Sequence, residues 1–164
     1  MASTSTNKQP LLVDRVLHEI VDLASATVAE NAGLDITGTN SAVILIDCTT
    51  NDGALIEDIY TIAREITTGY KVNLYLSTAA DYLRPQQSVY IGSVTGGTTT
   101  GQKTRVTPGD LPFILAPMPQ TGDDNRFAAL YIPRGKTLWA AVEQQSPTDQ
   151  APAAPLLGVQ GGFY

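Results

Sequence analysis

Residues 71–77 (KVNLYLS) place Val72, Leu74 and Leu76 on one side and Asn73, Tyr75 and Ser77 on the other. This is the period-two pattern of a strand with one buried face. No other feature limits the architecture of the chain as much. Residues 88–94 repeat the alternation, with Val89, Ile91 and Ser93 opposite Tyr90, Gly92 and Val94. Residues 42–48 (AVILIDC) form a short, nearly continuous β-branched run ended by Thr49, Thr50, Asn51, Asp52 and Gly53, which reads as a core strand and a turn. Residues 126–132 (RFAALYI) and 137–143 (TLWAAVE), separated by Pro133, Arg134, Gly135 and Lys136, read as a hairpin. Pro112 and Pro117 confine residues 111–118 to an edge or short strand, because proline donates no ladder hydrogen bond.

Two stretches fit both periods. Val13, Val16, Leu17, Ile20 and Leu23 make a helix stripe, yet Val13, Arg15, Leu17, Glu19, Val21 and Leu23 also alternate loosely. In residues 55–66, Leu55, Ile59, Ile62 and Ile66 have helix spacing, but the many β-branched residues and strand-rich neighbours favour a strand. Twenty Thr, fourteen Gly and ten Pro break the chain into short runs, the punctuation of sandwiches and barrels. The expected architecture is therefore all-β, a single antiparallel β-sandwich, jelly-roll-like. It has a polar N-terminal arm (1–12), a sandwich (13–145), and a Pro-rich loop with an apolar C-terminal docking strand (146–164).

At 164 residues the chain has the size of one domain, and 43% apolar with 16% charged residues is not a disordered composition. A net charge of −6 disfavours nucleic acid and anionic membrane as partners. One Cys and one His leave no basis for a zinc site, a disulfide framework or a His-based triad beyond His18. No run approaches the roughly 18 apolar residues of a membrane helix, and residues 1–10 lack a signal-peptide apolar core.

The remaining chemical signals are weak. Gly96 and Gly101 in residues 96–104 (GGTTTGQKT) have phosphate-loop spacing, but Gln102 replaces the required lysine and Lys103 comes one position late. Thr121, Gly122, Asp123, Asp124 and Asn125 offer too few carboxylates for Ca²⁺ and read as a turn. Glu57, Asp58 and Glu65 read as surface charges, since neighbours on a strand point to opposite faces. His18 lacks a base-and-orienter constellation, and Cys48 reads as a small buried hydrophobe. No catalytic residue, cofactor or metal is expected. Trp139, opposite in parity to Leu138, Ala140 and Val142, reads equally as core or as intersubunit contact. Leu156, Leu157, Phe163 and Tyr164 complete the candidate subunit contacts, as an apolar tail that docks either on its own sheet or, as a clamp, on a neighbour.

Residues 53–59 (GALIEDI), 72–77 (VNLYLS), 130–140 (LYIPRGKTLWA) and 161–164 (GGFY) together resemble small β-sandwich structural proteins of tailed bacteriophages, cyanophage virion proteins among them. The resemblance covers roughly residues 40–164, and residues 7–14 (NKQPLLVD) share its flavour. Such families often carry an acidic residue after the final glycines, where this chain has Phe163. The resemblance implies a non-enzymatic virion protein, made in the host cytoplasm and located in the virion. Its implied partners are coat or neck and tail subunits, and a homo-oligomer is expected. Capsid decoration is the leading role. A neck or tail protein and a host-surface carbohydrate-binding module are the alternatives.

Overall fold

The computed structural model describes residues 15–23, 27–28, 42–64, 69–78, 88–106, 111, 114–115, 129–143 and 155–164. Every regular element among them is a strand: β1 (Arg15–Asp22), β2 (Thr27–Val28), β3 (Val43–Asp47), β4 (Gly53–Ile62), β5 (Tyr70–Ser77), β6 (Ser88–Gly96), β7 (Lys103–Arg105), β8 (Ile114–Leu115), β9 (Ala129–Pro133), β10 (Thr137–Glu143) and β11 (Leu156–Phe163). The arm at 1–12, the turn at 121–125 and most of the Pro-rich loop lie outside the described residues.

Two sheets pack face to face. In the first, the order is β1-β11-β4-β9-β8, and β7 shares with β9 the edge of β4 that β11 leaves open. In the second, β10 lies between β5 and an edge shared by β3 and β2, and β6 follows β5. All pairings are antiparallel except the short β2–β10 contact. Leu17, Ile56, Ile59, Leu157 and Val159 of the first sheet meet Leu45, Val72, Leu74, Ile91 and Leu138 of the second in one core. Val72 and Leu74 sit there because alternation puts them on the face the sandwich closes. Both fully bury their side chains, each worth about 1.5–3 kcal/mol of transfer free energy.

Over their described residues the two ambiguous stretches form strands, Arg15–Asp22 and Gly53–Ile62. In β1 the apparent helix stripe mixes residues of both faces: Leu17 is buried, whereas Val16 and Ile20 point outward. In β4 the register against β11 jumps between Gln160 and Gly161, so Glu57 is an extra residue in a β-bulge. Inward parity therefore changes from Ala54 and Ile56 to Ile59 and Thr61, which mimics a helix period.

Two expectations fail. Residues 129–133 and 137–143 are not a hairpin, because β9 pairs with β4 in the first sheet and β10 with β5 in the second. The turn between them carries the chain from one sheet to the other. Gly135 takes φ +76° there, and backbone bonds from Gly135 N to Cys48 O (2.8 Å) and Cys48 N to Lys136 O (2.9 Å) tie the turn to the end of β3. A Gly-containing turn of this length serves a sheet corner as well as a hairpin, so spacing alone did not separate them. The other failure is the clamp. β11 is an internal strand of the first sheet, paired along its length with β1 on one side and β4 on the other.

Candidate contact surface

The functional candidates read from the tail and from Trp139 are mostly interior. Leu157 and Phe163 belong to the main core, while Leu156 and Tyr164 are half-buried. Tyr164 is fastened through its backbone, donating to Gly53 O and accepting from Asp52 N, both at 3.0 Å. The tail's apolar side chains are thus used by the chain's own sandwich. Trp139 lies on the face opposite the core, as its parity predicts, yet is only 3% exposed. It packs with Tyr75 and Ala141 in a second cluster, and its indole Nε1 donates to Thr137 Oγ1 at 2.8 Å. Tyr90 meets Tyr75 edge-on, with ring centroids 5.9 Å apart.

Polar side chains on this same face are buried as well. Glu143 is paired with Lys71 Nζ at 2.8 Å and accepts from Asn73 Nδ2 at 3.2 Å. The Glu143 hydrogen bond raises the Lys71 ammonium above the ordinary lysine value, against the opposing pull of burial. Asn73 Oδ1 and the Tyr75 hydroxyl are enclosed, and among the described residues neither has a partner in hydrogen-bond geometry. Burial pushes the Tyr75 phenol up to about 12, and the neighbouring Asn73 side chain lowers it.

The outer face of the first sheet holds a charged set built on β4 and β7. Asp58 Oδ2 lies 3.2 Å from Arg105 Nε and 4.0 Å from Lys103 Nζ, and Lys103 Nζ stands 3.6 Å from the centre of the Tyr60 ring. The Tyr60 ring in turn covers Gly158, where a Cβ would meet ring carbon Cζ at 2.2 Å. His18 is exposed, and its Nε2 lies 3.2 Å from the Tyr60 hydroxyl. Asp58 is therefore a structural partner of two cations, and Glu57 beside it is the exposed extra residue of the bulge. The glycine-rich segment after β6 leads into strand β7 and is held by Gly101 N donating to Ala63 O at 2.8 Å. Cys48 is fully buried, which together with Asp47 pushes its thiol up to about 11. Among the described residues no group of three or more His, Cys, Asp or Glu side chains is placed to hold a metal ion.

What the sequence reading missed is the free side of β1. This strand pairs with β11 alone among the described residues, so one row of its backbone N–H and C=O groups has no strand partner there. Val16 is 81% and Ile20 50% exposed, and both lie on the outward side with His18 between them. On the inward side, a groove of about 490 Å³ opens between β1 and β3, with Leu17, Leu45 and Phe163 as apolar lining and Glu19 and Asp47 as acidic lining. Arg15 lies at its end, its guanidinium carbon 4.6 Å from the Phe163 ring centre. The signal was present in residues 15–22 (RVLHEIVD), where apolar residues occur at both parities. No protein-family model matches the chain, and neither the curated proteins nor the solved structures compared with it gave a match.

Proposed function

We propose that this chain is a non-enzymatic structural protein of a tailed-phage virion, a jelly-roll domain that decorates the capsid by binding coat subunits. The observation that carries the reading is the nesting of the strand pairs. β1 pairs with β11, β3 with β10, β4 with β7, and β5 with β6, first with last and inward from there. With β2, β8 and β9 set aside, a long hairpin of eight strands folded over itself gives this order and the sheets β1-β11-β4-β7 and β3-β10-β5-β6; β9 shares the edge of β4 with β7. Rolled eight-stranded sandwiches of this kind serve in viral capsid and lectin domains. Fold-level analogy is associational, and the sequence resemblance to phage virion proteins is what favours the first of the two.

The burial of Trp139 and Tyr75 counts against the sugar-binding alternative, since an exposed aromatic platform is what such a site needs. A neck or tail location rests on the same resemblance and differs only in the partner. The test is co-sedimentation of the purified chain with expanded capsids that lack it, beside a glycan array. Saturable capsid binding without glycan retention is expected. Retention of a defined glycan with no capsid binding overturns the reading, and binding to isolated necks or tails but not to capsids moves the protein to the alternative location.

A further inference from the structure

An exposed strand edge invites pairing with another strand, and folded proteins usually blunt such edges with charge. β1 does carry inward-parity charges, Arg15 and Glu19, but they are of opposite sign and two positions apart on the same face as Leu17. Its outward row reads Val16, His18, Ile20 and, at the end of the strand, Asp22, which pairs with Arg64 at 2.7 Å. The stretch from Val16 to Ile20 has the same order of apolar and histidine side chains in either direction. It therefore matches itself when two copies of the strand run antiparallel.

We infer that β1 is a self-association edge, through which two copies of this chain join their first sheets by an antiparallel β1–β1 pair about a two-fold axis at His18. An axis perpendicular to the sheet keeps core faces together, so only residues of equal parity stand opposite each other. With His18 opposite its own copy, Val16 faces Ile20 of the second chain and Ile20 faces Val16, which covers two of the three most exposed large hydrophobic residues among those described. Arg15 then lies one diagonal step from Glu19 of the second chain, within reach of long side chains. A shift by two residues in one direction sets Glu19 against Glu19, and in the other sets Val16 against His18. Both shifts lose the Val16–Ile20 matches; the second sets Leu17 against Leu17 and Arg15 against Glu19 instead, and leaves Val16 and Ile20 without an apolar partner. A strand from an unrelated protein meets an Arg and a Glu that it has no fixed charges to answer. The occupant that fits best is a second copy.

This inference stands apart from the virion reading, because it is read on the purified chain with no particle present. The experiment is sedimentation velocity on the wild-type protein and on the Val16→Lys, Ile20→Lys double variant at about 0.1 mM, with thermal unfolding of each. Both positions are exposed, so the variant is expected to unfold at the wild-type temperature when both are diluted until the wild type is monomeric, since dimerisation itself raises the midpoint. A wild-type dimer whose self-association weakens at least tenfold in the variant is the expected result. Register is read by mild oxidation of single-cysteine additions. His18→Cys, on the axis, is expected to form an intermolecular disulfide, whereas Val16→Cys, which faces Ile20, is not; Cys48 is fully buried and does not compete. A monomeric wild type, a double variant that still dimerises, or equal cross-linking at positions 16 and 18 overturns the inference.

Discussion

The buried polar face of the second sheet shows how single residues there set the sensitivity of the fold. Asn73 has alternation parity that suggests exposure, yet it is fully buried against Glu143. Asn73→Asp is therefore expected to be costly and not mild, since it sets a second carboxylate beside a buried one. A loss of about 1–3 kcal/mol in chemical denaturation is expected, approaching that of the core charge in Leu74→Asp. Lys71→Met removes one cation beside the buried Glu143, and because Lys71 is partly in solvent about 1 kcal/mol is expected. Stability against pH has a sign fixed by the raised values. Cys48 rises from 9.0 to about 11 and Tyr75 from 10.0 to about 12, so between those limits the unfolded chain releases protons that the folded chain retains. Unfolding is thereby favoured as pH rises, and Lys71, also raised, acts in the same direction. The midpoint of thermal unfolding is expected to fall progressively above pH 9. Tyr75→Phe should flatten the fall between pH 10 and 12, and, because it removes a hydroxyl with no partner in hydrogen-bond geometry among the described residues, should cost little at pH 7. An unaltered alkaline slope in this variant would show that the phenol is not responsible.

At the scale of elements, bulges and close glycines decide what each strand does. Glu57 in β4, Leu45 in β3 and Ile91 in β6 are each an extra residue where the register shifts, and each changes which side chains face the core. Beside the first, Gly161 lies so near β4 that a Cβ would stand 2.0 Å from the Leu55 carbonyl oxygen, whereas at Gly158 the obstacle is the far end of the Tyr60 side chain. Gly161→Ala is expected to cost at least about 2 kcal/mol, because backbone must move, and Gly158→Ala distinctly less, because a ring can swing aside. Equal losses in urea unfolding would contradict the close approach. Since β11 joins β1 to β4, deletion of residues 156–164 is expected to abolish cooperative unfolding, and with it any particle binding. A truncated chain that still melts sharply would mean that the first sheet closes without its central strand.

For the whole molecule, nesting means that the strands farthest apart in sequence are paired, with Arg15 opposite Phe163. Loop-closure entropy must be met before such contacts contribute, so folding is expected to be slow for a domain of this size, in the range of roughly milliseconds to seconds. Stopped-flow refolding monitored by Trp139 fluorescence checks this, and a microsecond phase with full amplitude would contradict it. The same topology gives β1 one strand partner among the described residues and closes the tail inside the sheet.

Side-chain alternation, together with turn chemistry, is a local property and establishes the strand-rich class and the inward set of β5. The sequence also placed Trp139 on the face opposite Leu138 and marked Cys48 as buried. Strand partners were beyond its reach. Whether residues 137–143 return beside residues 129–133 or cross to the other sheet depends on which backbone groups find partners elsewhere in the chain, and turn length is the same for both. The apolar tail looked like a clamp because nothing local distinguishes a strand that docks on a neighbour from one that completes its own sheet. Pairing across the chain, which sets β11 between β1 and β4 and gives β1 one strand partner among the described residues, separates the apolar residues of the core from those at the surface.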